Sequence, residues 1–394
     1  MNIKYVMLLV AGMMLTFSSC EQKKKNANVV VTEPTTRDSA QNPNAPKLES
    51  NKELNNAARF VAGMPVEDKG SKLYSLTQTE EWKKHCKNMD QIWNSFLQSE
   101  PKVMAFSQNE LGTVNSQCKT IFYPFGGPDY LFPDTFFPNM DTYFLIGLER
   151  AGSAIKVKHP SAATYRLYQN AVSDILNLSF FRTDDMKAEL SNDTIDGVVP
   201  IISMLMARSG REIISIEHKK FNENGEIVAA EDDGSANGKQ GKLIEFKFFK
   251  QGTNHQQTLY YLSTDLSNGG VSGNKPLMEY ISKFDRETTA CFIKSASYLM
   301  HTTYFSMIRN AILDHVSAIM QDDSGIPWRF YDKSKWNIQL YGAFNGPISM
   351  FAKYPQTDLR DAYLSMEPKP INFRIGYARQ SNLQLSTLKK DNED

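Results

Sequence analysis

The sequence predicts an α+β fold: a central antiparallel sheet with flanking helices, in one large or two closely packed domains. Three observations carry that expectation. Residues Arg211 to Leu266 alternate apolar and polar positions at period two, as half-buried strands do. Apolar stripes at helical spacing precede and follow that stretch. Strand and helix patterns do not alternate regularly along the chain, which argues against a doubly wound sheet.

Taken in order, the first element is an address. Lys4 charges a short leader, and the apolar run from Tyr5 to Phe17 has the length of a secretory signal core. It falls short of the roughly 20 residues a membrane span needs. Phe17-Ser18-Ser19-Cys20 then resembles the lipobox of bacterial lipoproteins. That resemblance implies removal of residues 1–19 and lipidation of the Cys20 thiol, with palmitate-type chains anchoring the protein to the membrane. Residues 20–56 are rich in Asn, Lys, Thr and Pro and poor in aromatics, the composition of a disordered tether. The Asn- and Lys-rich tether resembles that of Bacteroidota lipoproteins, which implies the cell envelope, with the outer membrane as the expected surface.

The body is expected over residues 57–387, followed by a polar tail at 388–394. Thr77 and Glu80 have capping-box spacing and predict a helix from Glu80 to Leu97, stopped by Pro101. Trp82, Cys86, Met89, Trp93 and Phe96 share one face of it, so Cys86 is expected in the core. Pro160 opens a second helix with Tyr168, Val172, Ile175 and Leu178 on its buried face. A third spans Gly197 to Ser209, and Gly210 supplies its left-handed cap. Glu231 to Gly241 and Asp265 to Asn274 are polar, Gly-containing loops. Beyond the meander the pattern predicts a strand at Thr288 to Ser295, a helix from Tyr304 to Ile319 and a tight turn at Asp322-Asp323-Ser324-Gly325. Strands at Trp328 to Tyr331, Ile338 to Tyr341 and Phe373 to Tyr377 follow, with a short helix near Thr357 to Met366.

The chain carries 44 basic and 44 acidic residues, so loss of Lys4 with the leader leaves a formal charge of minus one. A near-neutral protein with scattered basic residues is no trap for nucleic acid. Once Cys20 is lipidated, Cys86, Cys118 and Cys291 cannot all pair within one chain. The six histidines form neither HExxH nor a close pair, no cysteine spacing suits zinc, and phosphate-cradling and dinucleotide glycine motifs are absent. No metal and no cofactor are therefore expected. Ser297 stands four residues before His301, a spacing that lets hydroxyl and imidazole meet on a helix, without any supporting nucleophile motif.

The segment from Thr120 to Gly147 concentrates nine aromatic residues with Pro124, Pro128, Pro133 and Pro138. Those prolines predict a rigid irregular loop in place of a central strand or helix. Aromatic faces beside carboxylates suit a glycan or other small amphipathic ligand, since rings stack on apolar faces and carboxylates accept hydroxyl hydrogen bonds. The candidate contacts are Asp129, Tyr130, Phe132, Asp134 and Asp141. This segment and a second aromatic and acidic cluster at Gln321 to Tyr331 and Trp336 to Phe344 resemble segments of uncharacterised exported bacterial proteins, and that resemblance implies no activity. Two function classes stand open: a non-catalytic ligand-binding or envelope-interaction protein, which is favoured, and an extracytoplasmic hydrolase of glycan or peptide. The hydrolase would pair Asp322 or Asp323 with Asp129, Asp134 or Asp141 at about 5 to 9.5 Å.

Overall fold

In the computed structural model, which describes residues 47–155, 157, 160–178, 196–230, 242–377 and 381–390, ten strands join in a single sheet. They are β1 (Thr120–Tyr123), β2 (Thr142–Gly147), β3 (Arg211–Phe221), β4 (Ile227–Ala229), β5 (Lys242–Lys250), β6 (Gln256–Ser263), β7 (Thr289–Ile293), β8 (Ala318–Gln321), β9 (Trp336–Gly342) and β10 (Asn382–Leu388). The strand order is β4-β3-β5-β6-β2-β1-β7-β8-β10-β9. The fold is α+β, and the meander from β3 to β6 is antiparallel as its alternation predicts.

The sheet as a whole is mixed, which corrects the expected antiparallel centre. Strands β6, β2, β1, β7 and β8 all run parallel, and β10 and β9 return antiparallel at the far edge. Parallel strands buried on both faces read as short continuous apolar runs without alternation, so TIFY, TYFLIG, TACFI and AIMQ carry no directional signal. The segment Thr120 to Gly147 is accordingly no irregular loop. Its two ends are the innermost strands, and its prolines punctuate: Pro124 follows β1, and Pro133 lies in the first turn of α5 (Leu131–Phe136), where a missing N–H is tolerated.

The ordered body also begins earlier than expected. Helix α1 (Lys52–Val61) is capped by the Asn51 side chain, which accepts from Leu54 N, and the Asn51 amide donates to Ile213 O. Residues 47–56, expected in the tether, belong to the folded body, and Leu48 N donates to the Asn254 side chain. After α2 (Lys72–Leu76), α3 (Glu80–Glu110) starts at a Thr79 cap and runs straight through Pro101. An interior proline costs about 3 kcal/mol. Val103 and Phe106 beyond it bury in the same core as Trp93 and Phe96, which offsets that cost. Trp82, Met89, Trp93 and Phe96 are buried along the expected face, while Cys86 at its edge is half-exposed and the neighbouring His85 is buried.

Helices α4 (Gly112–Gln117), α6 (Ala162–Leu178) and α7 (Val199–Arg208) follow, the last ending at Gly210 with φ +70°. The expected loop at Asp265 to Asn274 contains α8 (Asn268–Gly273), capped by Ser267, and α9 (Lys275–Ser282) succeeds it. Helix α10 (Ser306–His315) stops short because Ala318 to Gln321 is recruited as β8. Trp328–Phe330 is a 3-10 turn and not a strand; Phe373 to Tyr377 is irregular. Helix α11 (Thr357–Ser365) lies where expected. Glu231 to Gly241, the leader, Cys20 and the last four residues of the tail lie outside the described residues.

One sheet face, with Ile121, Tyr143 and Leu145, packs against α1, α3, α6 and α7. The other, with Phe122, Phe144 and Ile293, packs against α9 and α10. Among the described residues no helix is long and apolar enough to cross a membrane.

Candidate functional site

In an open sheet with a parallel centre, a crevice forms beyond the carboxyl ends of the strands where neighbouring connections depart to opposite faces. Strands β1 and β7 meet this condition. The chain after β1 enters α5, whose Leu131 and Phe136 pack on one face, while the chain after β7 carries Met300 and leads to α10 on the other. A cavity of about 200 Å³ opens at that point, and its walls come from the carboxyl ends of β6, β2, β1 and β7.

The wall after β7 is held in a left-handed backbone: φ is +53° at Ser295 and Ser297 and +55° at Tyr298. Each such non-glycine residue costs on the order of 1 kcal/mol and persists only when its surroundings over-determine it. Here they do. Ser295 N donates to Asp322 Oδ2 (2.8 Å), Ala296 N to Ser324 Oγ (2.7 Å) and Ser297 N to the Tyr377 hydroxyl (3.2 Å), while the Tyr298 hydroxyl donates to the Asp323 carboxylate. Burial pushes both aspartates above the usual carboxylate range, and Asp322 is raised further by its neighbour's charge. This pair is a clamp behind the wall; neither residue lines the cavity.

The wall after β1 is tied to β7 by charge. Lys294 is 2% exposed, its Nζ lies 2.6 Å from Asp129 Oδ2, and it sits 3.5 Å above the Phe132 ring. Burial lowers the lysine pKa, with Asp129 opposing the shift. The ammonium has no aligned hydrogen-bond acceptor among the described residues, so the ion pair and the ring face provide its compensation. The Tyr123 hydroxyl, whose pKa burial raises well above normal, donates to Asp129 Oδ2 at 3.1 Å.

Glycines shape the floor. A Cβ at Gly147 would overlap Glu149 Oε2 and come within 2.7 Å of Gly127 Cα and the Tyr261 hydroxyl. Glu149 is 2% exposed and lines the cavity. At the mouth, half-buried Phe125 and Phe305 meet edge to face with centroids 5.9 Å apart, and exposed Asp265 stands beside Leu266.

Of the residues singled out from sequence, Asp129 is in the cavity wall. Tyr130 and Phe132 are buried beneath the sheet, a correction to their expected stacking role: Tyr130 packs edge to face on Tyr143 and Phe248, and Phe132 lies under the Lys294 ammonium. Asp134 is buried in an ion pair with Arg211, whose Nε also donates to the Tyr130 hydroxyl. Asp141 lies at the amino end of β2, the opposite end from the cavity, exposed and 3.1 Å from His255. Ser297 Oγ meets the Tyr377 hydroxyl at 3.0 Å, while the His301 ring packs on Tyr298 and Tyr354. Sequence reasoning missed Glu149, Lys294, Phe125 and Phe305. The available signal was Gly126-Gly127 and Gly147 placed directly after apolar runs, where strand ends approach something closely.

Among the described residues no group of three or more His, Cys, Asp or Glu side chains is placed to hold a metal ion. Compared with known proteins, the chain matches no family model, no curated protein and no solved structure, so its chemistry rests on its own residues.

Proposed function

We propose that this protein is a non-catalytic binding protein of the cell envelope that takes a small hydroxylated, amphipathic ligand of saccharide type into the cavity at the carboxyl ends of β6, β2, β1 and β7. The observation that carries the reading is the composition of that cavity: the rings of Phe125 and Phe305 line it together with the carboxylates of Asp129, Glu149 and Asp265. Rings stack on the apolar face of a sugar while carboxylates accept its hydroxyls. The walls are pre-formed by the Lys294–Asp129 pair and the Asp322–Asp323 clamp, which reduces the ordering cost of binding.

An aspartate-pair hydrolase gains no support from this geometry, because Asp322 and Asp323 are committed to Ser295, Ser324, Tyr298 and Asn382 behind the wall. For the address, the lipobox-like sequence ending at Cys20 supports a lipid anchor, and the tether that follows it supports attachment at the outer membrane.

Two experiments test the proposal. A glycan array followed by thermal-shift titration is expected to return saccharide ligands whose affinity falls about tenfold, or 1.4 kcal/mol, in Phe305→Ala. Ligands that bind Phe305→Ala and Phe125→Ala unchanged would place the site elsewhere. Radiolabelled palmitate is expected in the wild type and absent from Cys20→Ala; equal labelling would end the anchoring claim.

A further inference from the structure

Glu149 is a buried carboxylate of the cavity lining that no cation among the described residues pairs with. The side chain is 2% exposed, at the carboxyl end of β2, with its carboxylate lying over Gly147. Its one hydrogen-bonding neighbour among the described residues is the Tyr261 hydroxyl, 2.8 Å from the Glu149 backbone carbonyl and 3.4 Å from Oε2. No described lysine, arginine or histidine comes within ion-pair distance of it. The cavity's single cation, Lys294, is taken by Asp129 at 2.6 Å. A buried carboxylate normally has a cation or several donors beside it. Glu149 has neither, and the space beside it is the cavity.

We infer that the ligand of this cavity carries a protonated amine that pairs with Glu149. The inference rests on the cavity being the binding site, and it adds the ligand's charge. With Lys294 and Asp129 cancelling, the lining keeps two negative charges, Glu149 at the floor and Asp265 at the mouth. Asp265 is held in place by the Ser267 amide and hydroxyl, so it contributes attraction at the entrance more than a contact in the interior. Phe125 and Phe305 line the cavity, and an aromatic ring face attracts a cation through its quadrupole. An anionic ligand would meet two uncompensated carboxylates. A neutral sugar would leave Glu149 without a counter-charge. An amino sugar satisfies the rings, the acceptors and Glu149 together.

The experiment is calorimetric titration of the full-length protein with three matched probes, glucosamine, N-acetylglucosamine and glucose, at neutral pH and two salt concentrations. Glucosamine is expected to bind at least tenfold more tightly than either neutral probe, with affinity falling as salt rises. Glu149→Gln, checked for folding by its melting temperature, is expected to bring the three within about threefold of one another. Should that variant unfold, Asp265→Asn serves in its place and is expected to lower glucosamine affinity two- to threefold and reduce the salt dependence. Neutral probes binding as tightly as glucosamine would overturn the amine inference while leaving the saccharide reading in place. No binding by any of the three would overturn both.

Discussion

The sheet has two regions of opposite character. In the meander, β3 pairs antiparallel with β4 and β5, β5 pairs antiparallel with β6, short turns close β3–β4 and β5–β6, and the edge strand β4 is short and half-exposed. In the parallel centre, β1 with β2 and β7 with β8 are consecutive strands joined by crossovers, β6 with β2 and β1 with β7 join distant parts of the chain, and both faces are covered. Hairpins turn back on themselves and leave no crevice. Parallel strands leave one wherever their connections part, which places the cavity and the left-handed stretch from Ser295 to Tyr298 at the carboxyl end of the centre, with β6 of the meander supplying one wall.

The largest test of this contrast is packing. Phe122→Ala in β1 removes a ring buried from both sides and is expected to cost about 3–5 kcal/mol, whereas Val228→Ala on half-exposed β4 should cost less than about 1 kcal/mol. Urea unfolding measures both, and equal losses would erase the distinction. A second comparison uses two glycines. Gly147→Ala drives a Cβ into Glu149, Gly127 and Tyr261, so it should destabilise by about 1–3 kcal/mol and abolish ligand binding. Gly252, at φ +84° between β5 and β6, has open space around it, and its alanine variant should cost about 1 kcal/mol with binding intact.

Acid separates the regions by sign. His85, in the helical layer, has Nε2 2.8 Å from Val61 O and Nδ1 3.0 Å from the Gln169 amide, and burial lowers its pKa to about 4. Below about 6.5 the unfolded chain takes a proton that the folded one refuses, so stability is lost as pH falls from there toward 4. His301 is lowered to about 3 and acts in the same direction. Asp322 works oppositely. It is packed against Asp323 and felt by Lys294, Tyr123, Tyr298, Tyr363 and Tyr377, and its raised pKa means that stability is present below about 3.9 and lost as pH rises through the folded value. Between pH 4.5 and 6.5, His85→Gln should tilt the stability profile toward acid and Asp322→Asn should tilt it toward base, each by up to about 1.4 kcal/mol per pH unit. Profiles that tilt the same way would refute the assignment. The smallest effect is reserved for Asp141→Asn. Its exposed pairing with His255 should be worth less than about 0.5 kcal/mol, and ligand affinity should not change, because the residue stands at the other end of β2. A lost ligand in that variant would move the site.

Much of the fold was legible where chemistry is local. Alternation in REIISIEHKKF and KLIEFKFFK marks strands with two different faces, and Gly210 closes a helix because only a left-handed residue ends it that way. The candidate site was legible in one residue, Asp129. Tyr130 and Asp134 looked like ligand contacts because a ring beside a carboxylate has the same composition whether it faces a cavity or, as here, the buried Arg211. Pro101 failed as a stop signal for a related reason, since burial of Val103 and Phe106 is invisible in a window around the proline.

The sequence by itself determined the α+β class, the antiparallel meander, the presence of helices α3, α6, α7, α10 and α11, and the Cys20 lipobox resemblance. Each depends on residues a few positions apart, whose spacing fixes periodicity, caps and turns. Only the tertiary structure decided that the sheet's centre is parallel, that β1 stands between β2 and β7, and that Glu149, Lys294 and Phe305 meet around one cavity. The pairings of β1 with β7 and of β2 with β6 join residues more than a hundred positions apart, and an apolar run carries no mark of the partner it will pair with.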